Sequence, residues 1–410
     1  MLEDTLQLHA ATEVMELEWR GLKINRMNMD GAVDKNGLAI DLFSAFAGER
    51  GMILATGNVN KAGELHIEGR MTDFPVHPVL AAAGKEGSGL CSTGFAVGGK
   101  LTAPEFAGVL QLTQAEFMEQ KIKEAHGFVA LKDNQLTIKN FRANMEQGHH
   151  IVSGLVDLRG EEPYVDLSLE TYGVRIEPIL ALILGKKDVP VTGNLDNIMQ
   201  VRGTTSQPYV YCEVHASDGS AMEQLYNSVD GRYLYDKGTL ELEDFLIKAF
   251  YADVKLDGTM ADDGRLNFDM VAKNVDLAHL PIKDETIDLG GKVNAKGHIG
   301  GKITAPTFRG DVDSDKVLIN GEALTELSGT VDGRGLPYNM FKVSFKQPYK
   351  HDPSNYGLYT ADVNLNLQEK YMQGKVQMLW GDIGGLLRMA RMDYDINGQM
   401  QGLLDFCPQG

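Results

Sequence analysis

Cysteine is almost missing from this chain, with three residues in 410 at positions 91, 212 and 407. They lie more than 100 positions apart, with no Cys-x-x-Cys and no histidine at ligand spacing, so neither a disulfide framework nor a zinc site is indicated. Proline (13) and tryptophan (2) are scarce. No run of 18 apolar residues occurs, so no segment reads as a membrane-spanning helix. The start, Met1-Leu2-Glu3-Asp4-Thr5, has neither a basic nor an apolar signal-peptide region. Positive charge is in deficit: the formal net charge is -18. That field repels phosphate backbones and anionic lipid surfaces and argues against nucleic-acid binding.

What is plentiful is glycine, at 46 residues, together with short alternating apolar runs. Val165, Leu167 and Leu169 alternate with Asp166, Ser168 and Glu170. Leu266, Phe268 and Met270 alternate with Asn267, Asp269 and Val271, and Val363, Leu365 and Leu367 with Asn364 and Asn366. A period of two with one wet face marks antiparallel strands. Turn residues such as Asp133-Asn134, Asp236-Lys237-Gly238 and Asp262-Asp263-Gly264 separate the runs. The pattern predicts an all-β fold with about seven or eight short strands per repeat. Helical breaks are expected at 115–125 and 220–228, and closing helices at 77–83, 176–185, 277–281 and 383–392.

The chain repeats itself. Gly89, Gly99, Pro104, Gly127, Leu136, Phe141 and Gly154 return 104 positions later as Gly193, Gly203, Pro208, Gly231, Leu240, Phe245 and Gly258. At an offset of 98, Gly193, Gly203, Pro208 and Gly231 return as Gly291, Gly301, Pro306 and Gly329. These offsets define units at 1–88, 89–190, 191–288 and 289–392, with 393–410 opening a fifth. No atypical cap closes the array, so the chain reads as an excerpt of a longer protein.

No motif carries catalysis. Gly94 to Lys100 reads G-x-x-x-x-G-K, but Leu101 stands where a P-loop needs Ser or Thr. Adjacent His149 and His150 would point to opposite faces of a strand and read as surface histidines. Carboxylate pairs such as Glu161-Glu162 and Asp262-Asp263 fall at turns. The chain is therefore expected to be no enzyme, with no metal and no cofactor.

The repeat resembles a known family. Gly-Lys-x-Thr-Ala-Pro-x-Phe at 99–106, Leu289-Gly290-Gly291-Lys292-Val293, Pro306 through Val312, and Leu327-Ser328-Gly329-Thr330-Val331 are similar to repeats of the AsmA-like/TamB proteins. The third unit departs from the pattern, with Val210 where the aromatic stands. The resemblance implies an elongated array of tandem repeats of about 100 residues forming a curved β-taco groove with short apolar helices between units. It implies a periplasmic conduit that carries phospholipid between inner and outer membranes, anchored to the inner membrane by a segment outside this chain. It further implies a TamA/BamA-like outer-membrane barrel as partner. The alternative is a scaffold or chaperone for outer-membrane β-barrel or autotransporter assembly. Expected groove-lining residues, in contact with phospholipid acyl chains, are Leu136, Ile138, Val165, Leu167, Leu169, Leu240, Leu242, Leu266, Phe268, Met270, Val363, Leu365 and Leu367. Alternation alone does not separate an open groove from a filled two-sheet core.

Overall fold

The computed structural model describes residues 8–19, 22–77, 80, 87–117, 120–177, 191–204, 206–221, 224–279, 288–333, 338–349, 352, 354–366, 371–392 and 394–406. The fold is all-β: among the described residues, 24 strands belong to one antiparallel sheet that does not close on itself. By contacts the chain divides into Met1–Ala216 and Ser217–Gly410.

The first unit holds β1 (Leu8–Trp19), β2 (Leu22–Asp34), β3 (Gly37–Ala47), β4 (Gly51–Asn60), β5 (Leu65–Pro75), β6 (Gly87–Lys100), β7 (Ala103–Phe117), β8 (Gln120–Lys132), β9 (Gln135–Met145), β10 (His149–Asp157), β11 (Tyr164–Arg175) and β12 (Val191–Thr204). Each strand pairs antiparallel with the next, a simple meander. The division falls within β13 (Pro208–Ala221).

The second unit holds β14 (Gln224–Asp236), β15 (Thr239–Ala249), β16 (Ala252–Ala261), β17 (Leu266–Asp276), β18 (Leu289–Lys302), β19 (Ala305–Ile319), β20 (Glu322–Gly333), β21 (Tyr338–Pro348), β22 (Tyr356–Asn366), β23 (Tyr371–Asp382) and β24 (Gln399–Phe406). It is again a meander of neighbours. One α-helix, α1 (Ile383–Met389), and one 3-10 turn, Leu277–His279, are described.

Strand lengths recur. β6 to β11 run 14, 15, 13, 11, 9 and 12 residues, and β12 to β17 run 14, 14, 13, 11, 10 and 11. The repeat thus contains six described strands rather than the expected seven or eight. The strands are about twice the usual length, because residues that look like turns in sequence are bulges inside strands.

Those bulges share one chemistry. Asp73, Asn140, Gly173, Asp244 and Asn274 all have positive φ, between 46° and 61°, within strands. At each the pairing register slips. The displaced backbone N–H donates to a side chain on the neighbouring strand: Asp73 to Ser92 Oγ (3.0 Å), Asn140 to Ser153 Oγ (2.9 Å), Gly173 to Asp196 Oδ1 (2.6 Å), Asp244 to Asp257 Oδ1 (2.6 Å) and Asn274 to Asn294 Oδ1 (3.2 Å). A bulge leaves one donor without a ladder partner and increases local twist. The short polar side chain supplies that partner, as the backbone requires. Ser153→Ala is expected to cost about 1 kcal/mol or less, because water can replace the lost acceptor at this partly exposed site. Urea denaturation followed by circular dichroism measures it, and a neutral result would show that the bulge needs no side-chain partner.

The expected helical breaks at 115–125 and 220–228 are corrected. Ala115–Phe117 belong to β7 and Gln120–Ala125 to β8, with Phe117 paired to Gln120. Ser220–Ala221 end β13, and Gln224 opens β14. Good helix formers at this site lose to hairpin pairing, a common tertiary override of propensity. The expected closing helix at 383–392 is present as the shorter α1. Of the one at 277–281, the turn Leu277–His279 is described and 280–281 lie outside the described residues. Of 176–185, Ile176 and Glu177 are helical, and the apolar Ile179–Leu184 lie outside the described residues. His77 and Leu80 are the described residues of 77–83.

Candidate functional site

Residues directly opposite across antiparallel strands share a face of the sheet. The pairings therefore trace which side chains line up. In the first unit one row passes through Ile40, Gly57, Ile67, Val97, Phe106, Leu131, Leu136, Val156 and Val165. The next row on the same face passes through Phe43, Ala55, Gly69, Phe95, Gly108, Val129, Ile138, Gly154, Leu167 and Val201. A third contains Val152, Leu169 and Met199. Leu136, Ile138, Val165, Leu167 and Leu169 thus lie together on one apolar face.

The second unit repeats the arrangement. Leu240, Met260 and Leu266 form one row. Leu242, Gly258, Phe268, Ile299 and Phe308 form another. Met270, Gly297, Gly310, Val331, Phe341 and Val363 form a third. Leu365 takes the register position opposite Asn339 and Met372 in β22. Leu367 lies outside the described residues.

These faces are not sealed. Leu136, Ile138, Val165, Leu167, Leu169, Leu240, Leu242, Leu266, Met270 and Val363 are all half-buried. Phe268, at 6% exposure, is the one fully buried member among those described. A packed two-sheet core would bury such residues almost completely. Among the described residues, the hydrophobic cluster with buried members has only Ala47 and Phe74 at its centre, with Ile24, Ile53 and Met71 around them. Side-chain neighbours on the same sheet cover these residues in part, and no second sheet is described across them.

Aromatic rings lie beside glycines on this face. Phe95 lies between Gly69 and Gly108 in its row, and a Cβ on Gly69 would meet the Phe95 ring at 2.7 Å. Gly127 and Gly231 each lie against a phenylalanine, Phe141 and Phe245, where a Cβ would come within 2.4 Å. The repeat offset contains both halves of these pairs, but only the strand register shows that they touch.

The opposite face is charged. Arg202 reaches Asp166 at 3.1 Å and His298 reaches Asp269 at 3.1 Å. Lys255 bridges Asp244 (2.9 Å) and Asp257 (3.2 Å). Its hydrogen bond holds the Asp244 carboxyl below its usual range, and Asp244 in turn raises the Lys255 ammonium. Lys342, Asp362, Lys375 and Asp405 alternate in one cross-strand row. These exposed pairs contribute little stability each, but they mark the face as wet.

Polar groups enter the apolar face near the bulged strand ends. His150 Nδ1 lies 2.9 Å from Thr171 Oγ1, and Asn197 follows in the same row with a buried, unpartnered Oδ1. Burial pushes the His150 imidazole below its ordinary value, and His149 adds to the shift. His149 instead lies against the Tyr172 ring in a tilted arrangement, centroids 5.2 Å apart. The two histidines therefore take opposite faces as expected, but His150 is half-buried rather than a surface residue. In the second unit, Tyr359 donates to Gln347 Oε1 at 2.5 Å, and Asp382 N–H donates to the same oxygen at 3.3 Å. Asp382 also caps α1 through the Gly384 N–H at 3.2 Å, and Arg388 of α1 pairs with Glu322. Gly385 sits directly on Gln347, so α1 covers the apolar face at this end of β21 and β22.

The G-x-x-x-x-G-K run, 94–100, lies within β6 and leads into the hairpin where Lys100 pairs with Ala103. A P-loop needs a strand, a phosphate-cradling loop and a helix, and this segment provides a strand and a tight turn. No helix among the described residues is long and apolar enough to cross a membrane. Comparison with protein-family models, curated proteins and solved structures gives no match.

Proposed function

We propose that this chain is a length of non-enzymatic lipid conduit, whose apolar face holds phospholipid acyl chains in transit between inner and outer membranes. The observation that carries the reading is the half-covered state of ten apolar residues on ordered cross-strand rows, Leu136 to Val363. The sequence resemblance to AsmA-like/TamB repeats supports the envelope setting and the membrane anchor and barrel partner outside this chain.

The energetics favour such a face. An acyl chain of about 16 carbons loses roughly 12 kcal/mol on leaving a membrane for water, at ~0.8 kcal/mol per methylene. Apolar rows recover much of that without any catalytic group. In the first unit the row from Ile40 to Val165 crosses nine strands, a path of about 38 Å at ~4.8 Å per strand. A single leaflet's hydrocarbon depth is about 15 Å, half of the ~30 Å bilayer core. A surface longer than one chain suits passage along it better than storage of a single ligand.

Photo-crosslinking in cells tests the reading. A diazirine side chain at Leu167 or Met270, in the full-length protein, is expected to capture phospholipid. The same group at the outward Asp166 or Asp269 is expected to capture little. Equal lipid adducts from both faces, or none from the inward positions, would falsify the conduit. Capture of unfolded outer-membrane β-barrel proteins from the inward positions would replace it with the chaperone reading.

A further inference from the structure

A cavity of about 730 Å³ opens in the first unit where β8, β9 and β11 end. Its volume lies in the range of small-molecule sites. Met145 and Val174 reach it from the apolar face, Met145 opposite Ile122 and Val174 opposite Leu195. Lys121 and Lys123 line its other side, with the amides of Gln120 and Gln147 beside them. Both lysines are exposed, and among the described residues neither makes an ion pair. Arg175 is also present but is held by Glu177. One carboxylate, Glu146, lines the cavity. Among the lining residues, two lysines outside ion pairs thus stand against one carboxylate, while Glu116 takes the register position opposite Lys121.

We infer that this cavity binds the anionic head, a phosphate or phosphate-like ester, of an amphiphile whose alkyl stem leaves over Met145 and Val174 onto the apolar face. Lys121 and Lys123 supply the charge, and Gln120 and Gln147 supply neutral N–H donors. The stem half of this inference rests on the acyl-chain reading above; the head half rests on the cavity alone. A purely apolar ligand would have no use for the lysines. A free inorganic anion would have no use for Met145 and Val174.

The test uses the whole chain and three probes below their micellar concentrations: decyl phosphate, decyl maltoside and inorganic phosphate. Calorimetric titration is expected to show decyl phosphate binding most tightly, weakening as salt rises. Lys121→Gln/Lys123→Gln is expected to weaken decyl phosphate about tenfold, given two lost charge contacts at a solvated rim. Decyl maltoside, with the same stem and no charge, is expected to bind wild type and variant alike. Both substitutions lie on exposed side chains, and unchanged circular dichroism establishes that the variant is folded. Equal decyl phosphate affinity in wild type and variant overturns the head-group site and leaves the acyl-chain reading standing. Inorganic phosphate binding as tightly as decyl phosphate, with decyl maltoside unbound, overturns the amphiphile and the acyl-chain reading together, leaving a free-anion site.

Discussion

On the proposed conduit reading, Leu167→Glu/Leu169→Glu is expected to weaken acyl-chain binding by the first unit while leaving the strand folded. Both leucines sit on the apolar face of β11, opposite Gly154 and Val152 on one side and Val201 and Met199 on the other. Both are half-buried, so a carboxylate there keeps access to water and need not unfold the sheet to be solvated. An alkyl chain lying across the same positions would have to desolvate that charge, which is expensive without a partner. It would also lose leucine surface, at ~25 cal/mol per Å². Together these terms predict a loss of at least a hundredfold in binding, or about 2.7 kcal/mol. Displacement of a fluorescent fatty acid from the whole chain measures the affinity, and the urea midpoint reports folding. Ser168→Glu is the control, because Ser168 lies between the two leucines in β11 and points to the opposite face. Equal loss in the control would mean that the effect is net charge, and the face would lose its assigned role. Unchanged binding in the double variant would remove Leu167 and Leu169 from the path.

Much of this surface was legible in the sequence because a period of two is a direct statement about faces. Val165, Leu167 and Leu169 needed only alternation to be placed together on one face of a strand. Two things were not legible. The first was whether the face is covered. Alternation is identical in a filled sandwich and a half-open sheet, and only the partial exposure of residues such as Leu169 and Met270 separates them. The second was where strands end. Asp73, Asn140, Asp244 and Asn274 carry the composition of turns, and they are left-handed residues inside continuous strands. Their meaning depends on Ser92, Ser153, Asp257 and Asn294, which are 13 to 20 positions away in sequence and become neighbours only through pairing. A longer separation hides the rim cavity: Lys121 and Val174 share no local pattern, and the strand ends bring them together.

Gly154→Ala is expected to be strongly destabilising for a single added methyl on the apolar face. Gly154 has φ of +141°, a region that residues with a Cβ scarcely occupy. A Cβ there would lie 2.1 Å from the Asp166 carbonyl oxygen and 2.9 Å from the Leu167 Cα, both backbone atoms that cannot swing aside. The backbone strain alone costs on the order of 1–3 kcal/mol, and relieving the contact means parting β10 from β11. A total of about 3 kcal/mol or more follows, at the upper end for point substitutions. Gly258 in the second unit repeats the geometry, with φ of +142° and the Asn267 carbonyl oxygen 2.2 Å from the same position. Gly258→Ala should therefore lose a similar amount. Gly94→Ala, where nothing lies within 4 Å and φ is ordinary, should change stability by well under 1 kcal/mol. Because a long array need not unfold in one step, amide hydrogen exchange is the better readout. Protection should fall in β10 and β11 for Gly154→Ala, and in β16 and β17 for Gly258→Ala. Since Gly154 and Gly258 stand beside Leu167 and Phe268 on the apolar rows, the same variants should also lose acyl-chain binding. Intact protection at both pairs of strands would show that the sheet can absorb a methyl group there, and the glycines would then owe their place to something other than backbone geometry.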